Sequence, residues 1–336
     1  YTLWHTLSLH DALPIYLALK TQTSGIQKDT RFSYEPLLSP HPNNELHKVS
    51  IGDKTLQAPL WISSMTGGTP MARKINENLA RLAGELGLGM GLGSCHVLLR
   101  DQKHLPDFDL RGIIGDDRPF YANMGIAQIE AYLENDNIRI VKDLVKQLKA
   151  DGLVVHVNPL QEWLQPEGDR INHPPIQSIK ELLRQVNFNV IVKEVGQGMG
   201  MESLKALLSL PLAAIEFGAF GGTNFAKLEL MRDEHNRRGL MEPLSLIGQT
   251  AEEMTVNINQ LIDEDAPVKT QSLIISGGIK NFLDGYHLIS KSSLPAAYGM
   301  ASTFLKYAKE DYESLKNFTL GQLEGLKVAK AFLRVL

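Results

Sequence analysis

The sequence predicts an α/β fold, a TIM (β/α)8 barrel, on three observations. Eight short, near-continuously apolar runs recur along its 336 residues, the pattern of strands buried on both faces in a parallel sheet. Segments with apolar residues at helical spacing separate several of them. Each run closes on glycine, asparagine or another small or polar residue, as strand ends forming a functional rim do.

The first run spans 58–65 and carries Ser63, Ser64 and Met65, followed by Thr66. A helix follows, with Ala72, Ile75, Leu79, Leu82, Ala83 and Leu86 on one face. The second run, 87–92, spaces its glycines every second residue, which suits a strand in close backbone contact better than a dinucleotide-binding turn. The third, 119–125, holds Asn123 and precedes a helix marked by Ile140, Leu144, Val145 and Leu148. The fourth, 152–158, places His156 and Asn158 two positions apart, hence on one face. A helix over 176–186 leads to the fifth run, 190–196, where Lys193 adjoins Glu194. A helix over 204–208 leads to the sixth, 212–218. Residues 219–249 then form one long connection, a length that marks a lid or binding loop, before a helix over 254–262. The seventh run, 272–278, and the eighth, 295–299, end on Gly277, Gly278 and Gly299.

Residues 1–15 lack a helical period, a basic start and a long apolar stretch. They read as a non-native scar or an irregular arm ahead of a single barrel over 16–336. Lys+Arg 34 against Asp+Glu 38 gives a net charge of −4, without the basic run that nucleic acid or an anionic membrane surface requires. The one cysteine, Cys95, excludes an intrachain disulfide and a multi-cysteine zinc site. The longest apolar stretch, around 206–215, is far short of the ~20 residues of a membrane span. The expectation is a cytoplasmic protein with neither nucleic acid nor membrane as partner.

Barrel geometry gathers the residues closing each run at one mouth. Three of these ends combine glycine with a hydroxyl: 66–69, 221–223 and 276–278. Glycine lets backbone N–H groups approach an anion, and the last two strand ends of such barrels are a recurrent phosphate site. Lys193 in an apolar strand needs a partner or a charged ligand. Glu162, just past the fourth run, suits Mg²⁺ shared with ligand phosphates. No Walker loop, H-E-x-x-H or Ser-His-Asp order is present.

Seven stretches taken in order are specific: SSMTGGT (63–69), MGLGS (90–94), ANMG (122–125), HVNPLQE with QPEGD (156–169), VKEVGQGMG (192–200), GGTNFAKLELMR (221–232) and SGGIK (276–280). With them the chain resembles the type 2, FMN-dependent isopentenyl-diphosphate delta-isomerases across nearly all of 16–336. The resemblance implies an FMN-binding barrel, assembled as a homo-oligomer (tetramer or octamer), that interconverts isopentenyl and dimethylallyl diphosphate. It implies reduced FMN, with NADPH as reductant and Mg²⁺ bridging the diphosphate. It assigns Ser64, Met65, Thr66, Ser94, Asn123, Lys193 and Thr223 to the flavin, and Gly277, Gly278 and Gly299 to its phosphate. Gln161, His156 and Asn158 become the catalytic set, Ser94, His96 and Gln161 the substrate contacts, and Glu162 the metal ligand.

Two departures stand out. The family's basic N-terminal motif, which clamps the diphosphate, would fall within 1–15 and is missing there. Lys280 stands where the family usually has Arg, which forfeits a bidentate contact. Two rival readings are another FMN barrel oxidoreductase, for which Lys280 and His287 are poor substitutes for an Arg and a base His, and a flavin-binding pseudo-enzyme.

Overall fold

A strand that is apolar throughout needs cover on both faces, and here a closed sheet provides it. A computed structural model of the chain describes residues 17–42, 45–64, 70–232 and 238–336. The strands are β1 (Phe32–Tyr34), β2 (Val49–Ile51), β3 (Lys54–Leu56), β4 (Leu60–Ile62), β5 (Gly89–Gly91), β6 (Phe120–Gly125), β7 (Gly152–Val157), β8 (Asn189–Glu194), β9 (Ala214–Glu216), β10 (Leu273–Ser276), β11 (Ala296–Met300) and β12 (Leu333–Val335). Strands β4 to β11 form a closed parallel barrel, β11 pairing with β4. All eight apolar runs become barrel strands. The sixth shortens to Ala214–Glu216, since Gly218 takes φ +53 and turns the chain away.

Helices Pro70–Leu86, Ile126–Glu134, Arg139–Gln147, Pro175–Gln185, Met201–Leu208, Ala251–Asp263, Phe282–Lys291 and Ser302–Glu310 lie between or after the strands. Their apolar faces join the outer layer of strand side chains in one large core. Among the described residues no helix is long and apolar enough to cross a membrane. The long connection over 219–249 differs from expectation, because it holds a helix at Phe225–Arg232 and short turns at Arg238–Met241 and Glu242–Leu246. Only Ala226 and Leu230 of that helix are buried apolar residues, packed on Leu164 in a small separate cluster. A helix that buries two apolar residues leaves little periodicity to read. The expected boundary at residue 15 lies outside the described residues.

The antiparallel β2–β3 hairpin, which the sequence pattern did not announce, closes the N-terminal end of the barrel. Val49, Ile51 and Leu56 pack beneath an interior layer of Trp61, Tyr121, Val154, Ile191, Ala214, Ile274 and Ala297. Side chains alternate along strands, so the next inward layer, two residues on, reads Ser63, Asn123, His156, Lys193, Glu216, Ser276 and Gly299. An apolar floor thus carries a polar layer at the C-terminal mouth. Gly89 makes room for that floor: a Cβ there would sit 2.3 Å from the Trp61 ring.

Outside the barrel wall, Arg111 and Asp151 lock the N-terminal end. Asp151 accepts from Arg111 Nη2 at 2.8 Å and from the Phe120 amide at 2.9 Å, and pairs with Lys54 at 2.5 Å. Arg111 donates further to the carbonyls of Lys149, Gly115 and Arg118. Asp151→Ala leaves the Arg111 guanidinium buried without its counter-charge, a change expected to destabilise the fold by about 3 kcal/mol. Urea unfolding followed by circular dichroism checks this; a loss under about 1 kcal/mol would mean the carbonyls alone satisfy Arg111.

Candidate active site

The register of the sheet assembles the site. Gly125, His156, Lys193 and Glu216 pair in sequence across β6, β7, β8 and β9, so they form one row around the barrel. Paired residues of a parallel sheet share a face, and Ile274, paired with Glu216, belongs to the interior layer. The row therefore points inward. Its Lys193 and Glu216 border a cavity of about 280 Å³ at the C-terminal mouth, lined also by Ser64, Thr223, the backbone of Gly277 and Gly278, and Gly299.

One wall of that cavity is a glycine cradle. Gly221, Gly277 and Gly278 adopt φ +114, +94 and +75, a region that glycine enters without strain. A Cβ on Gly222 would lie 3.2 Å from the Gly278 amide nitrogen, and one on Gly277 would lie 2.2 Å from the Ala219 carbonyl oxygen. The sixth and seventh strand ends are thus packed backbone to backbone. The N-terminal turn of helix Ser302–Glu310 contributes Ser302 and Thr303 to the same wall. Exposed amides at a helix N-terminus beside left-handed glycines favour an anion. Ser64 Oγ is buried without a partner, as a hydroxyl kept for a ligand would be. The cradle, the helix terminus, the spare hydroxyl and the cation of Lys193 together fit a phosphorylated, planar cofactor such as FMN.

Lys193 Nζ donates to the Glu194 carbonyl at 3.0 Å, so one of its three protons is used within its own strand. Burial pushes its pKa down, and the carboxylates of Glu216 and Glu194 oppose that. Glu194 does not compete for the cavity. Its Oε2 accepts from the amides of Gly196, Gln197 and Gly198 at 2.6, 2.7 and 2.8 Å, which pins the turn after β8.

His156 Nδ1 lies 2.7 Å from Asn123 Oδ1, while Asn123 Nδ2 donates to the Leu92 carbonyl at 2.8 Å. With the amide so oriented, His156 Nδ1 is the donor and Nε2 is left as an acceptor. Burial, reinforced by Lys193, lowers the His156 pKa to about 3, so the ring is neutral near pH 7. Gly125 keeps Nε2 open, since a Cβ there would approach it to 2.9 Å.

A second polar group forms after β7, at the start of and along helix Pro159–Leu164. Asn158 Nδ2 donates to Gln161 Oε1 at 3.1 Å and to Glu162 Oε1 at 3.0 Å. Glu162 Oε2 accepts from the Asp169 amide at 2.9 Å. Gln161 Nε2 donates to Glu229 Oε1 at 3.0 Å, and Arg232 donates to Glu229 Oε2 at 2.8 Å. Burial raises the Glu162 pKa, with Asp169 and Glu229 adding to the rise against the two hydrogen bonds. The side-chain Oδ1 of Asn158 is buried without a partner. An acceptor without a donor beside a crowded carboxylate is what a hard cation such as Mg²⁺ would satisfy.

Of the residues expected from sequence, Ser64, Lys193, Thr223, Gly277, Gly278 and Gly299 line the cavity. Asn123 lies behind His156, and Asn158, Gln161 and Glu162 form the amide–carboxylate group. Ser94 is exposed on the loop after β5 and His96 is half-buried two residues on. Met65 and Thr66 lie outside the described residues. His287 stands apart from the cavity, with its ring against Glu252 at 3.3 Å on the outer helical layer. The Cys95 thiol is buried and its pKa is pushed up to about 12, so it offers no nucleophile.

Sequence reasoning missed Glu216 and Glu229. Glu216 interrupts an apolar run as Lys193 does, and the same argument from a charge in a buried strand would have found it. Glu229 gave no such signal, because its contact with Gln161 spans 68 residues of chain.

The chain is 33% identical over 275 residues to the isopentenyl-diphosphate delta-isomerase of Rickettsia felis, covering 82% of this chain and 76% of that relative. The protein of the same name from Rickettsia bellii is 35% identical over 256 residues, 76% of this chain and 72% of the relative. Among solved structures, a flavocytochrome b2 variant with sulfite bound matches with a TM-score of 0.61 at 11% identity, over 90% of this chain and 72% of that one. A mandelate oxidase variant with a monooxide FMN adduct matches with a TM-score of 0.56 at 9% identity, over 91% and 88%. At those identities the likeness concerns the fold. No family model matches the chain. Its identity of 33% with the Rickettsia felis relative across 82% of its own length carries the conclusion: the chain belongs to the isopentenyl-diphosphate delta-isomerase family.

Proposed function

We propose that the chain interconverts isopentenyl and dimethylallyl diphosphate as a type 2, FMN-dependent isomerase in isoprenoid biosynthesis. The observation that carries this reading is the polar layer facing a glycine-walled cavity in a barrel whose chain belongs to the isomerase family. Moving the double bond requires a proton delivered to one carbon and another removed from its neighbour's neighbour. Reduced FMN supplies that proton donor and acceptor when bound, with NADPH as the reductant.

The chain's own residues hold and orient. Gly277, Gly278, Gly299 and the start of helix Ser302–Glu310 take the flavin phosphate. Ser64, Ser94, Asn123, Lys193 and Thr223, together with Met65 and Thr66, are assigned to the rest of the flavin, where Lys193 places positive charge beside an anionic ring. His156, neutral, presents Nε2 as an acceptor. Gln161 is an amide held between Asn158 and Glu229, so it orients the alkene rather than acting as an acid. Ser94 and His96 are assigned to the substrate, and Glu162 would hold Mg²⁺, whose charge would offset that of the diphosphate.

We read residues 16–336 as one functional unit in the cytoplasm, in keeping with a free, buried cysteine. We assign it a homo-oligomeric state, tetramer or octamer, supported by the exposed side chains of Met231, Leu240, Leu246 and Ile247 on the long connection. The rival oxidoreductase reading would draw on His287 as its base, and that ring lies against Glu252 on the outer helical layer, away from the cavity. The test is anaerobic conversion of isopentenyl diphosphate with FMN, NADPH and Mg²⁺. Turnover that stops on omission of flavin or Mg²⁺ is expected. A chain that binds FMN without turnover would be a pseudo-enzyme lacking the diphosphate clamp, and one that binds no FMN would sink the assignment.

A further inference from the structure

Among the described residues, Glu216 is a buried charge that the site as described leaves unexplained. It is fully buried at the centre of the barrel and lines the cavity. Its Oε1 is met by the Ser276 hydroxyl at 3.5 Å, and Ser276 Oγ in turn accepts from the Gly218 amide at 3.0 Å. Its Oε2 makes no hydrogen bond of regular geometry, although the Ser63 hydroxyl and the Trp61 indole, themselves unpartnered, favour its ionised form. A carboxyl group this enclosed persists only where another group repays its desolvation.

The register supplies that group. Glu216 pairs with Lys193 across β8 and β9, so the two side chains enter the barrel side by side from adjacent strands. The other charged or titratable neighbours of Lys193 are spoken for. Glu194 has its carboxylate in the backbone turn, and His156, the β7 member of the row, is tied to Asn123. Glu216 is thus the carboxylate left to face the amine.

We propose that Glu216 is a positioning residue for Lys193: held by Ser276 at the barrel centre, it keeps the amine cationic and directed into the cavity, and so sets the charge a bound flavin meets. The last clause rests on the FMN reading given above; the pairing itself does not. In the free chain the two groups act as a unit, because removing the carboxylate takes away the larger of the two charges that oppose burial and leaves only Glu194 against it, which shifts the balance toward the neutral amine. The sign follows: without Glu216, Lys193 loses its proton at lower pH.

The test is competitive acetylation of the flavin-free chain with acetic anhydride across pH 5–11, with Lys193 quantified by peptide mass spectrometry. Only the neutral amine reacts, so the midpoint of its reactivity reports its charge. Glu216→Gln is expected to lower that midpoint by at least about one pH unit. Glu216→Asp, which draws the carboxylate back by one methylene, is expected to lower it less. A purely structural role would move the melting temperature but not the midpoint. A midpoint unmoved in both variants, or in Glu216→Asp alone where Glu216→Gln yields no folded chain, overturns the proposal. The measurement needs neither flavin nor substrate, so its failure is distinguishable from failure of the isomerase assignment.

Discussion

Glu162→Gln is expected to lower isomerase turnover by about 10³-fold, the equivalent of about 4 kcal/mol of transition-state stabilisation. Both Glu162 oxygens are already fixed, one by Asn158 Nδ2 and the other by the Asp169 amide, so the carboxylate is aimed before any ligand arrives. Gln keeps the shape but removes the charge, and it sets an NH₂ group against one of those two donors. A cation that needs an ionised oxygen is then lost, together with its hold on the diphosphate. FMN affinity stays within about twofold of the wild type, well inside the ~1.4 kcal/mol of a tenfold change, because the glycine cradle after β9 and β10 shares none of the bonds that fix Glu162. A Mg²⁺ titration of turnover, with flavin binding followed by fluorescence, reads both arms. Turnover with unchanged Mg²⁺ dependence would move the cation from Glu162 to another carboxylate, Glu229 first.

The second large effect belongs to the backbone. Gly277→Ala is expected to destabilise the chain by about 3 kcal/mol and to weaken FMN binding by about 100-fold. At φ +94 the added Cβ is strained, and it would sit 2.2 Å from the oxygen and 2.4 Å from the nitrogen of Ala219. Neither atom belongs to a flexible side chain, so the end of β10 must withdraw from the end of β9. That separation opens the cradle at the point where backbone amides converge. Gly278→Ala is the informative contrast. Its nearest neighbour would be the Gly221 Cα at 3.5 Å, so strain of about 1 kcal/mol is all that it adds. Thermal unfolding and flavin titration of the two variants side by side check the difference. Equal losses would show that the cradle tolerates displacement and that the phosphate is held elsewhere.

Much of the fold was legible because its signals are local. An apolar run marks a strand buried on both faces whatever surrounds it, and the eight runs sufficed to count the barrel. The inward polar layer was partly legible for the same reason: Asn123, His156, Lys193 and Gly299 each interrupt or end an apolar run. Glu216 obeys the same rule and was passed over, while Ser276 was legible only as the hydroxyl of a glycine-rich strand end. The β2–β3 hairpin and the β1–β12 pair carry strands of three residues each, too short for a period to emerge. The helix at Phe225–Arg232 buries its apolar residues against a neighbouring short helix, not the main core, so its pattern is weak.

By itself, then, the sequence determined the parallel barrel, the rim of glycines and hydroxyls, and the family, since strand burial and motif order are properties of neighbouring residues. Tertiary structure alone decided which of those residues meet. The row of His156, Lys193 and Glu216 is set by the stagger of β7, β8 and β9. The contact of Gln161 with Glu229 joins residues 68 positions apart. The physical reason is that a closed sheet determines register only when every strand is in place, and register, not sequence distance, brings a buried acid beside a buried base.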